Sequence, residues 1–128
     1  MRKIAYILAA IILSACVSQK DKDKAFITDI YNHVLGIERM TDEYLKASLS
    51  KELLDSLWET EYDDCYSYWD FRTGYQDGPS DISEVLDIKV ESDGWYEVSY
   101  LDMGNRGRTR IHVVKGKITG YSRIEPAK

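Results

Sequence analysis

The chain has 128 residues, 17 of them basic and 22 acidic, for a net charge of −5. That length suffices for one compact domain with its own core and not for two. The acidic balance makes nucleic acid and anionic lipid poor partners for the domain as a whole.

The N-terminus has the three parts of an export signal in order. Arg2 and Lys3 precede an unbroken apolar run from Ile4 to Leu13, and the small residues Ser14 and Ala15 lead to Cys16. The apolar run is well short of the about 20 residues that cross a bilayer as a helix. The ending Leu13-Ser14-Ala15-Cys16 resembles the lipobox of bacterial lipoproteins, which implies that residues 1–15 are a signal peptide and that Cys16 carries the lipid. Each buried acyl CH₂ contributes about 0.8 kcal/mol, so a multiply acylated cysteine is a stable membrane anchor.

Residues 16–24 read as a lipidated tether, because Val17 to Lys24 is polar with no apolar periodicity. Eight extended residues reach at most about 29 Å. Val17 stands where the resemblance would put Asp for inner-membrane retention, which implies the outer membrane, on its periplasmic or its surface face.

The leader holds two basic residues and no acidic ones, which leaves 15 basic against 22 acidic groups, a mature charge of −7. The charge is uneven. Residues 104–128 set Glu125 against Arg106, Arg108, Arg110, Lys115, Lys117, Arg123 and Lys128. Either this basic end pairs with the acidic remainder inside the domain, or it forms a face for an acidic partner. With Cys16 lipidated, Cys65 has no intrachain disulfide partner and reads as a small buried hydrophobe.

A helical pattern begins at Asp23 or Lys24, with Phe26/Ile27, Ile30/Tyr31 and Val34/Leu35 on one stripe and Gly36 as a stop. Thr41 caps a short helix bearing Tyr44 and Leu45, and Ser48 or Ser50 caps another whose turns are marked by Leu53/Leu54, Leu57/Trp58 and Glu61/Tyr62. The acidic cluster Glu61, Asp63 and Asp64 lacks the alternating ligands and turn glycine of a calcium loop, so no metal site is assigned. Residues 65–83 are dense in aromatics and broken by Gly74, Gly78 and Pro79.

From there the period becomes two. Leu86, Ile88 and Val90 alternate with charged residues, Asp93-Gly94 signals a hairpin, and Tyr96, Val98 and Tyr100 alternate again. A turn at Gly104 to Gly107 leads to Thr109, Ile111 and Val113, and Lys115-Gly116 turns into a last strand over Ile118 to Ile124. Helices followed by a four-stranded antiparallel meander make the class α+β, with one domain over residues 25–125.

The stretches at 25–35, 44–58, Asp70 to Gln76-Asp77 and the strands from 84 onward resemble the NTF2-like (cystatin-like) fold of small envelope lipoproteins. The resemblance implies a curved meander wrapped on the N-terminal helices with a pocket at one end. It implies Tyr31, Trp58, Tyr62, Trp69, Asp70, Tyr75, Gln76 and Asp77 as pocket candidates. The Asp–His or Asp–Tyr pairs of the family's enzymes have no counterpart here, so no catalytic residue and no cofactor is assigned.

The expected function is a non-catalytic, lipid-anchored module that captures a protein, peptide or small ligand, for which ten tyrosines and three tryptophans supply contact area. A second candidate surface is the strand face with Arg108, Arg110, His112, Tyr121 and Arg123. The resemblance leaves open a homodimer through the exposed sheet. One alternative is a small-molecule isomerase or hydrolase using Asp70 or Asp77, unless an Asp70–Arg72 pair holds the carboxylate. Another is an immunity or inhibitor protein whose acidic helix face meets a toxin or hydrolase.

Overall fold

The computed structural model describes residues 18–59, 64–75 and 77–126. The expected signal peptide, Cys16, Tyr62, Gln76 and most of the 61–64 acidic cluster lie outside the described residues.

Helix α1 spans Gln19–Val34, so it starts four residues before the expected point and takes in most of the polar stretch read as tether. Ser18 is the reason, since its side chain accepts from the Asp21 amide and supplies a cap that apolar spacing cannot reveal. Gln19 then reaches one turn on to Asp23, 2.9 Å away. The buried face is Asp23, Ile27, Ile30, Tyr31 and Val34, and Gly36 beyond the C-cap adopts φ +81°.

Helix α2 (Asp42–Ser48) begins at Thr41 and helix α3 (Lys51–Ser56) at Ser50, each cap accepting a backbone N–H as expected. Between them Leu49 is extended and bridges Ile118 in the last strand. The third helix ends at Ser56, before the expected Leu57/Trp58 turn. Ser56 Oγ bonds back to the Leu53 carbonyl at 2.6 Å, and Trp58–Glu59 becomes strand β1 paired with β2 (Cys65–Tyr66). Trp58 meets the Tyr66 ring edge-on at 4.9 Å, a cross-strand pair instead of a helical turn. Cys65 is exposed on this hairpin, not a buried hydrophobe.

The main sheet is antiparallel in the order β3 (Glu84–Ser92), β4 (Trp95–Asp102), β5 (Asn105–Val114) and β6 (Lys117–Glu125). The second turn is tighter than expected. Met103 and Gly104 make it alone with φ +52° and +81°, and Lys115 and Gly116 repeat the arrangement with +51° and +74°. Two positive φ angles match the twist of a two-residue hairpin. Gly107 therefore lies within β5, where an added Cβ would stand 2.3 Å from the Tyr100 ring. In β3 the pairing slips between Val85 and Asp87, which turns Val85 inward and leaves Leu86 44% exposed, against the expected alternation.

The helices cover one face of the sheet. There Tyr96, Val98, Tyr100, Thr109, Ile111 and Val113 alternate inward as expected, and they join Ile27, Ile30, Tyr31, Leu45, Leu49 and Ile118 in the core. Helix α1 runs along β4 in the same direction. The Tyr96 hydroxyl donates to Asp23 at 2.6 Å, and the Tyr31 and Tyr100 rings lie 5.0 Å apart. The intervals agree, because eight helical residues and four strand residues both advance about 12–13 Å.

Candidate functional site

The segment after β2 enters a 3-10 turn at Trp69–Phe71, and its three side chains part company. Phe71 is buried against Tyr121, with ring centroids 4.3 Å apart, and plugs the end of the core. Burying such a side chain contributes about 1.5–3 kcal/mol. Asp70 turns to β6, where Arg123 Nη2 donates to it at 2.6 Å and the Tyr121 hydroxyl at 3.3 Å. Burial, then Asp70, pushes the Tyr121 hydroxyl pKa up.

Arg72 turns to β4. Its Nε and Nη2 donate to the two oxygens of Asp102 at 3.0 and 2.6 Å, and the Thr73 amide and hydroxyl add bonds of 3.3 and 3.0 Å. Asp102 is fully buried. Burial pushes its carboxyl up, but the Arg72 guanidinium and Thr73 together outweigh it and hold the group below its ordinary value. Asp70 and Arg72 flank Phe71 and reach different strands, so the Asp70–Arg72 pair weighed from the sequence does not form.

Pinned in this way, the segment forms one wall of a surface cleft of about 540 Å³ lined by Trp69, Arg72, Gly74, Tyr75 and Met103. Trp69 is 58% and Tyr75 53% exposed. The other wall is the β4–β5 turn, and the loop after the cleft is stitched to it. Met103 donates to Ser83 Oγ at 2.9 Å and accepts from the Ser80 amide at 3.3 Å, and Asn105 Nδ2 donates to the Asp77 carbonyl at 3.0 Å. An added Cβ at Gly78 would lie 1.8 Å from the Met103 carbonyl oxygen, so only glycine permits this approach.

Of the expected pocket residues, Trp69 and Tyr75 line the cleft. Tyr31 does not, because it is fully buried beneath Tyr100, and its hydroxyl has no hydrogen-bond partner among the described residues. Burial, then the neighbouring Tyr100, pushes its pKa well up. Trp58 sits on the β1–β2 hairpin, Asp70 lies behind the cleft on Arg123, and Asp77 is exposed on the adjoining loop. Arg72 and Met103 are lining residues that the sequence reading did not assign.

The expected partner face divides between the two sides of the sheet. Shifts in the β5–β6 register pair Thr109 with Arg123 and Ile111 with Tyr121, so these two β6 residues face inward towards Asp70 and Phe71. Arg108, Arg110 and His112 face outward. Arg108 pairs with Glu97 and Glu125, Arg110 with Glu91 and the Trp95 ring, and His112 stacks on Trp95 beside Thr119. Arg108, Arg110 and Arg123 of the basic end thus pair with acidic residues of the same domain.

The cleft offers two aromatic surfaces, a thioether and a guanidinium already neutralised by a buried carboxylate, which is chemistry for holding a ring or an apolar chain. Among the described residues no group of three His, Cys, Asp or Glu side chains is placed to hold a metal ion, and no helix is long and apolar enough to cross a membrane. Comparison with known protein families, curated proteins and solved structures finds no match to this chain.

Proposed function

We propose that this chain is a lipid-anchored binding module of the bacterial envelope, held through Cys16 at the outer membrane, with an NTF2-like domain that captures a ligand in the Trp69–Tyr75 cleft. The observation that carries this reading is the exposure of two large aromatics, 58% and 53%, on a segment whose backbone is fixed by two ion pairs. Loose aromatics would collapse inward as Phe71 has done; rigidly displayed ones provide contact area at little further entropic cost. A non-catalytic role is supported by Asp70, a carboxylate the enzyme alternative would use, which lies behind the cleft in an ion pair with Arg123 at 2.6 Å.

The test is native mass spectrometry of the full chain, expressed with its own leader in a bacterium and extracted in mild detergent. A discrete adduct is expected in the wild type and in Arg110→Glu on the outer sheet face, and its loss in Trp69→Ala and Tyr75→Ala. An adduct retained in both aromatic variants and lost in Arg110→Glu moves the function to the outer face and overturns the reading.

A further inference from the structure

The two ends of the domain differ, and helix α1 begins at only one of them. Helix α1 starts at Gln19, three residues beyond Cys16, so at most about 11 Å of chain separates a lipidated cysteine from the first helical turn. That turn sits where two hairpins end. Gln19 and Asp23 share one hollow with Val113, Lys115 and Gly116, and Gln19, Lys20 and Asp23 share another with Asp93 and Gly94. The cleft lies at the opposite end, since Met103 closes the other end of β4 and the helix runs with that strand. Sixteen helical residues and eight strand residues each measure about 24–27 Å.

Resting on the reading of Cys16 as the lipidated residue, we infer that the domain stands on the membrane by the end carrying the Asp93-Gly94 and Lys115-Gly116 turns and holds its cleft away from the lipid. The tether is shorter than the domain is long, so the cleft cannot exchange places with the anchored end. Charge favours the same placement. At this end Lys20, Lys22, Lys115 and Lys117, the last donating to the Lys46 and Ala47 carbonyls, outnumber Asp21, Asp23 and Asp93, with Glu91 paired to Arg110, whereas the chain as a whole is acidic. Of its two ends, this one is the better suited to an anionic headgroup layer. The cleft then faces the aqueous compartment, open to a soluble ligand.

The experiment uses the full lipidated chain in the Cys65→Ser background, with single cysteines introduced as Asp93→Cys, Lys115→Cys or Asp81→Cys and given a fluorescent label. It is reconstituted in phosphatidylethanolamine–phosphatidylglycerol vesicles containing a headgroup nitroxide. Quenching several-fold stronger at positions 93 and 115 than at 81 is expected. Flotation with the vesicles combined with equal or inverted quenching overturns the orientation while leaving the anchor intact. Failure to float, with an unmodified mass for Cys16, overturns the anchor reading and the orientation together, and leaves the cleft's ligand binding to its own test.

Discussion

Arg72 and Asp102 stand thirty positions apart and meet through two parallel N–H···O bonds, with the carboxylate wholly shielded from water. The pair joins the irregular aromatic segment to the sheet, and its position at the end of β4 puts Arg72 and Met103 on the same cleft. Removing one partner of a buried ion pair strands the other, at a cost of about 3–5 kcal/mol. Arg72→Ala should therefore lower the stability measured in urea by that amount, and the double variant Arg72→Ala/Asp102→Ala should be less destabilised than the two single losses added together. Simple additivity would show that the pair contributes no coupling.

Acid should act on the same carboxylate. Its folded-state pKa is below the ordinary value of about 3.9, so its contribution is present above that pH and is lost as pH falls through the lowered folded value. Wild-type stability should drop below about pH 4 more steeply than that of Asp102→Asn, which lacks this titration. Parallel acid limbs in the two proteins would count against the assignment.

The alkaline limb belongs to the tyrosines. Burial, then the bond to Asp23, pushes Tyr96 up to about 12, and burial likewise takes Tyr100 to about 12. A folded-state pKa raised above the ordinary value of about 10 means the contribution is complete below pH 10 and is lost as pH rises towards 12. Absorbance titration at alkaline pH should show a late phase that shrinks in Tyr96→Phe and again in Tyr96→Phe/Tyr100→Phe. If the late phase persists in full in the double variant, these residues are not its source.

Residues whose structure is set by near neighbours were readable from the chain. Thr41 and Ser50 cap their helices, Gly36 follows the first, and Tyr96, Val98, Tyr100, Thr109, Ile111 and Val113 face inward as their alternation requires. Where one extra residue enters a strand pair, alternation misleads. Leu86 turns outward, and the β5–β6 shifts carry Tyr121 and Arg123 to the side opposite Arg108 and Arg110. Trp58 reads as helical by spacing until its strand partner Tyr66 is known. The site divides the same way. Aromatic density pointed to Trp69 and Tyr75, but a partner thirty residues away pins Arg72, and a hairpin turn delivers Met103. Neither relationship leaves a local pattern.

Gly78 tests whether the cleft depends on this stitching. A methyl group there would collide with the Met103 carbonyl oxygen at 1.8 Å, and that oxygen belongs to a backbone with no side-chain torsion to give way. The loop from Asp77 to Ser83 must then lift off the turn, losing the bonds from Ser80 and Gly104 and those made by Ser83 and Asn105. Overpacking of this kind costs about 1–3 kcal/mol, modest beside the Arg72–Asp102 pair because the core beneath is untouched. Gly78→Ala should therefore stay folded, with faster amide hydrogen exchange at Met103 and Gly104 and weakened ligand capture. The amides of Ile27 and Ile30 in α1 should exchange as in the wild type. Unchanged exchange at the turn would mean that the loop accommodates the methyl without moving, and that the cleft wall does not rely on glycine at this position.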